Sequence, residues 1–226
     1  MGALELMAQD AAATSPGAFQ VLKEKFIEGD WIWMSPVLAC LILGLAFCIE
    51  RIITLNIASA NTDALVAKID EKLASKDVDG AMEVAKGTPG PAASVIYEGL
   101  RSAGSGPDSV EKAIVSYGSV QMAMLEKGLV WISLFIALAP MLGFLGTVVG
   151  MIQAFDKIQA AGDISPTVVA GGIKVALLTT VFGLIVAIIL QIFYNYIVSK
   201  IDSITTNMEE STIALLEVMF KNKVFK

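Results

Sequence analysis

Histidine is absent from all 226 residues, which removes the commonest metal ligand and the commonest general base. Cysteine is nearly absent too. Cys40 and Cys48 stand eight positions apart in one predicted helix, roughly 12 Å along its axis. A disulfide needs Cα atoms within about 7 Å, so the two are expected as small apolar core residues. Charge is thin: 17% of residues are charged, the net charge is −6, and no basic cluster occurs. No nucleic-acid partner is therefore expected. A glycine-rich phosphate loop, a metal-ligand cluster and a nucleophile elbow are all missing, so no cofactor, no metal and no enzyme activity is expected. The first cation is Lys23, so no secretory signal of normal form is expected. Leu6 breaks the myristoylation pattern after Gly2.

What remains is apolar. Hydrophobic residues make up 55% of the chain and mean hydropathy is +0.70, which suits a helical membrane protein. Three runs carry this character. The first, 31–55, opens on Trp31 and Trp33, a pair suited to an interfacial aromatic belt, and stays uncharged until Glu50 and Arg51. These two either anchor the far interface or pair with another helix. The second, 129–155, has no charged residue over 27 positions, roughly 40 Å of helix against a hydrocarbon core of about 30 Å. The third, 168–198, is 31 residues long, roughly 46 Å, and its lower end should protrude. Helical spacing continues beyond it through Ile201, Ile204, Met208, Leu215 and Met219.

Between the first two runs, 56–128 reads as a polar helical domain with a turn at Gly87–Pro91 and a loop at Gly104–Pro107. Asp108 or Ser109 is expected to cap a long helix running straight into the second span. Before the first run, Gly17 to Glu28 sets Phe19, Leu22 and Phe26 on one face. It reads either as an amphipathic surface helix or as a solvated helix packed on a neighbour. Cations orient the whole. Residues 1–30 hold two, 51–128 hold eight, the 156–167 loop holds Lys157, and 199–226 hold four. The N-terminus is expected outside, and the 56–128 domain and the 199–226 helix inside.

The second and third spans each carry a stripe of small residues. From Ala139, the helical step meets Gly143, Thr147, Gly150 and Ala154; from Gly172 it meets Ala176, Thr180, Gly183, Ala187, Gln191 and Asn195. Small residues let membrane helices approach closely, and plain packing is the simplest account of them. Proton-driven machinery would also need a titratable group at membrane depth. None lies between Lys127 and Asp156, and the third run holds only Lys174, within snorkelling reach of the interface.

The segments A-P-M-L-G-F-L-G-T-V-V-G-M-I-Q-A-F and G-I-K-V-A-L-L-T-T-V-F-G-L-I-V-A-I resemble the two signature helices of the ExbB/TolQ/MotA family, and the three-span ExbB/TolQ branch most. The resemblance runs from Trp31 to about Lys200. It implies an all-α fold with three transmembrane helices, long helices extending into the cytoplasm, a helical cytoplasmic domain and a homo-oligomeric, pentameric ring in the bacterial inner membrane. The N-terminus and the 156–167 loop would be periplasmic. It further implies an ExbD/TolR-like single-span partner whose aspartate carries the proton, a TonB- or TolA-like protein beyond it, and threonines lining the ring interior. These match Thr147 and Thr180, with Gly143, Gly150, Ala176 and Gly183 leaving room and Gln191 and Asn195 continuing downward. Thr179 points about 100° away and is expected to bond back to its own helix. A Glu-Arg pair like Glu50 and Arg51 recurs in the family. Many members carry an acid where this chain has Val175, preceded by Lys174, so no role of that acid transfers. The competing reading is a passive helical membrane scaffold without proton coupling.

Overall fold

A computed structural model describes residues 18–59, 62–162 and 166–225. These residues are helical almost throughout. In chain order they form α1 (Ala18–Glu28), α2 (Trp31–Ala58), α3 (Thr62–Ala74), α4 (Val78–Gly87), α5 (Pro91–Arg101), a 3-10 turn (Ala103–Ser105), α6 (Pro107–Glu126), α7 (Leu129–Ala161) and α8 (Pro166–Lys221). Among the described residues three helices, which include α2, α7 and α8, are long and apolar enough to cross a membrane. Pro36 lies inside α2 and Pro140 inside α7. Each removes one backbone donor, a loss that membrane helices tolerate because neighbouring groups re-satisfy the freed carbonyl. The chain divides into two compact units. One takes the described residues up to Leu45 together with Ser133–Gln191; the other takes Ala46–Ile132 with the residues from Ile192 onward.

The first unit holds α1 and the mainly apolar lengths of α2, α7 and α8. The expected N-terminal helix is present from Ala18, while Gly17 and the side chains of Phe19 and Leu22 lie outside the described residues. The expected loop at 156–167 is shorter than its composition suggested. Helix α7 continues to Ala161, Gly162 turns at φ +68°, and α8 has begun by Pro166.

The second unit is a polar helical bundle with its own core. Ile69 and Leu73 of α3, Ile96 and Leu100 of α5, Val110 of α6 and Leu215 and Met219 of α8 are all fully buried. Each such side chain contributes about 1.5–3 kcal/mol relative to exposure. Asp77 caps α4 by accepting the Gly80 N–H at 2.8 Å. The C-terminal end of α8 is tied down by Asp70, whose two oxygens accept from Lys221 and Asn222 at 2.9 Å each.

Two expectations for this unit need correction. The cap of α6 is Gly106, at φ +92°, with Pro107 in the first helical position, so neither Asp108 nor Ser109 caps it. Proline suits that place because its missing N–H would have had no partner there. Nor does α6 run straight into the span: it stops at Glu126, and α7 starts only after Gly128 at φ +94°. Gly128 permits that left-handed break, which a side chain would strain.

Candidate functional site

The two small-residue stripes meet each other. Helices α7 and α8 run antiparallel, with Ala154 beside Gly172, Gly150 beside Ala176, Gly143 beside Thr180 and Ala139 beside Gly183. The approach is at backbone distance. A Cβ on Gly143 would lie 2.8 Å from the Thr179 carbonyl oxygen, and one on Gly183 would lie 2.6 Å from the Ala139 carbonyl oxygen. Gly143, Gly150, Ala176 and Gly183 are accordingly buried within the protomer. The room they were expected to leave for a partner's helix is taken by a helix of the same chain, because glycine allows that contact and a larger residue does not.

The threonines are placed differently from one another. Thr179 is wholly buried and its hydroxyl donates to the Ala176 carbonyl at 2.8 Å, the local bond expected for it. Thr147 is partly exposed and donates to the Phe144 carbonyl at 2.6 Å. Thr180, half-buried, donates across to the Gly143 carbonyl at 3.5 Å. In these bonds each hydroxyl proton is engaged while its oxygen keeps lone pairs as acceptors. Gln191 and Asn195, further along α8, are both exposed on the protomer.

The charged residues expected at the interfaces are better anchored than their spacing indicated. Lys174 forms an ion pair with Glu28 of α1, Nζ to Oε1 at 2.8 Å, while Lys25 takes the other oxygen at 2.7 Å. The hydrogen bond from Lys174 foremost, then that from Lys25, holds the Glu28 carboxyl below the usual range. Glu50 and Arg51 stay in long ion-pair contact, Nη1 to Oε1 at 4.0 Å, but differ in burial. Glu50 is exposed, whereas Arg51 is 5% exposed and its Nη2 donates to the Met124 and Leu125 carbonyls at 3.3 Å each. These are last-turn carbonyls of α6 with no partner in their own helix. Arg51 is thus a C-terminal cap, lying against Gly128, where a Cβ would approach its Cδ to 3.2 Å. Beside it Phe47 stacks on Trp131, centroids 6.3 Å apart. Sequence reasoning missed both partners. The available signal for Lys174 was the lone acid in the amphipathic segment's last turn; for Arg51 it was a cation at a span's end with a glycine break elsewhere to fill.

Among the described residues no group of three or more Cys, Asp or Glu side chains could hold a metal ion. The contact of α7 with α8 presents hydroxyls and backbone carbonyls.

Comparison with known proteins gives a consistent picture. A family model described as the MotA/TolQ/ExbB proton channel family matches residues 88–210. A biopolymer transport protein ExbB homolog of Methanothermobacter thermautotrophicus is 33% identical over 188 residues, covering 81% of this chain and 65% of its own length. An ExbB-like biopolymer transport protein of Synechocystis is 30% identical over 187 residues, covering 79% of this chain and 71% of its own. A biopolymer transport protein ExbB of Xanthomonas campestris is 34% identical over a shorter stretch, 46% of this chain and 41% of its own length. The chain spans a little under two thirds of the Methanothermobacter relative.

Proposed function

The chain belongs to the MotA/TolQ/ExbB proton channel family, and from that premise we propose that it is the ring subunit of a proton-motive-force-driven motor. In this reading several copies, five by family resemblance, surround the transmembrane helices of a single-span, ExbD/TolR-like protein whose aspartate takes up and releases the proton. Work would pass on to a TonB- or TolA-like protein and the outer membrane. The 56–128 domain and the 199–226 helix would be cytoplasmic, and the protein would sit in a bacterial inner membrane with its N-terminus in the periplasm.

One observation carries the reading: two hydroxyls, Thr147 and Thr180, stand on closely joined apolar lengths of α7 and α8, 129–155 and 168–198, that contain no acid of their own. A carboxyl group brought to them could donate its proton to a threonine lone pair. Once ionised, it could instead receive the threonine proton, since the Phe144 and Gly143 carbonyls also have helical N–H partners available. Such hydroxyls serve both protonation states without titrating. The buried glycines and Ala176 would hold the two threonine helices together, and Gln191 and Asn195 would continue a wet path.

The test is the Thr147→Val, Thr180→Val double variant, assayed with its partner for proton-motive-force-dependent work in cells. Valine keeps the volume, so protein level and oligomer size should stay normal. Each lost hydrogen bond to a charged group is worth about 1.5–3 kcal/mol, so coupling should fall tenfold or more. The passive-scaffold reading has an observation in its favour, since the stripes are filled by their own contact. It expects the double variant to be silent, and full activity at normal protein levels would remove these hydroxyls from the mechanism.

A further inference from the structure

In the first unit, between α1, α2 and α8, lies a groove of about 440 Å³. Val37 and Leu41 of α2 form one wall, Phe182 and Ile189 of α8 the other, and Phe26 and Lys23 of α1 border it. Among the described residues Lys23 is its only polar lining residue. The groove extends roughly 10 Å along α8, the rise from Phe182 to Ile189. Further along, α2 and α8 close up: a Cβ on Gly44 would lie 2.6 Å from Leu190 Cδ1. Leu38 and Ile185, which also border it, are 42% and 46% exposed, so the groove opens sideways from the apolar spans.

The cations near this end are not equivalent. Lys25 and Lys174 share the Glu28 carboxylate. Lys23 is exposed and makes no ion pair among the described residues. Glu24 follows it in sequence but sits about 100° further round the helix. An apolar slot at membrane depth with one uncommitted ammonium at its border matches an amphiphile with an apolar tail and a negative head. We propose that the groove holds an acyl chain of an anionic phospholipid, with the lipid phosphate on Lys23. This site is independent of proton coupling and of the threonines.

Trp31 and Trp33 report on this end of the molecule, and Trp131→Phe removes the third tryptophan. The full chain carrying that change is reconstituted in phosphatidylcholine vesicles containing brominated phosphatidylglycerol or brominated phosphatidylcholine, and tryptophan quenching is measured against mole fraction. One lysine at an anionic head contributes about fivefold in affinity. Brominated phosphatidylglycerol should therefore reach half-quenching at about a fifth of the mole fraction that brominated phosphatidylcholine needs. Lys23→Gln should abolish that preference while quenching by both lipids persists. Equal quenching by the two lipids in the Lys23 protein would overturn the proposal, as would a preference that survives Lys23→Gln. Absence of quenching by either would mean that another protein surface, such as a second copy, covers the groove, and would overturn it equally.

Discussion

At the scale of single residues, two glycines of α8 make a clean contrast. A Cβ on Gly183 would meet the Ala139 carbonyl at 2.6 Å, whereas one on Gly171 has nothing within 4 Å. Gly183→Ala should force α7 and α8 apart and lower stability by about 1–3 kcal/mol; Gly171→Ala should leave it unchanged or slightly raised. Thermal unfolding of the two variants in the same detergent checks this. The same contact bears on Gly150→Leu, which should fail to assemble, against Val149→Leu, a half-buried position that should be tolerated. Spacing alone brought out the stripes, since Gly143, Gly150, Ala176 and Gly183 recur at helical period. Their partner was not legible. A small residue records that something comes close, and only the antiparallel register of α7 and α8 identifies that neighbour as the same chain.

Among elements, the joint between α6 and α7 depends on Arg51. Removing its guanidinium by Arg51→Ala would leave the Met124 and Leu125 carbonyls without their side-chain donor, at a cost of about 1–3 kcal/mol. Amide exchange in the last turn of α6 should accelerate roughly tenfold, while the core helix α5 exchanges at its original rate. Lysine should restore this only in part, being a point charge without a planar fork. Helix α1 is joined to α8 by a different device, the Glu28 pair with Lys174. Because the Glu28 carboxyl is held below its usual range, the pair's contribution is present above the unfolded value of about 4.3. It is lost as pH falls through the lower folded value. Exchange of the α1 amides should rise on acidification below about pH 4, and Glu28→Gln should show the raised rate already at neutral pH.

The helices themselves were largely legible. The third apolar run and the spacing through Met208, Leu215 and Met219 anticipated the single helix α8, because both rest on apolar periodicity. The α6–α7 break was not, since it depends on a glycine at positive φ in a stretch whose composition favours helix. Arg51 escaped for a related reason: its acceptors are backbone carbonyls more than seventy positions away, which side-chain patterns do not display.

At the scale of the whole molecule, the expected orientation places the 56–128 domain and the turn after α7 on opposite sides of the membrane. Ser105 and Ala161 are both exposed. Single cysteines there, in a Cys40- and Cys48-free background, should label from opposite sides. Labelling of both from one side would refute the three-span topology. The second and third spans, 129–155 and 168–198, contain no acid, so the central claim of the proposed reading is that this chain works only around a partner that brings one. Its most direct test is native mass measurement of the complex extracted from membranes where chain and partner are made together. The account predicts several copies of this chain, five by family resemblance, enclosing fewer copies of a single-span protein with an intramembrane aspartate. A monomer, or a ring of this chain alone whose proton-driven work persists without any such protein, would contradict it.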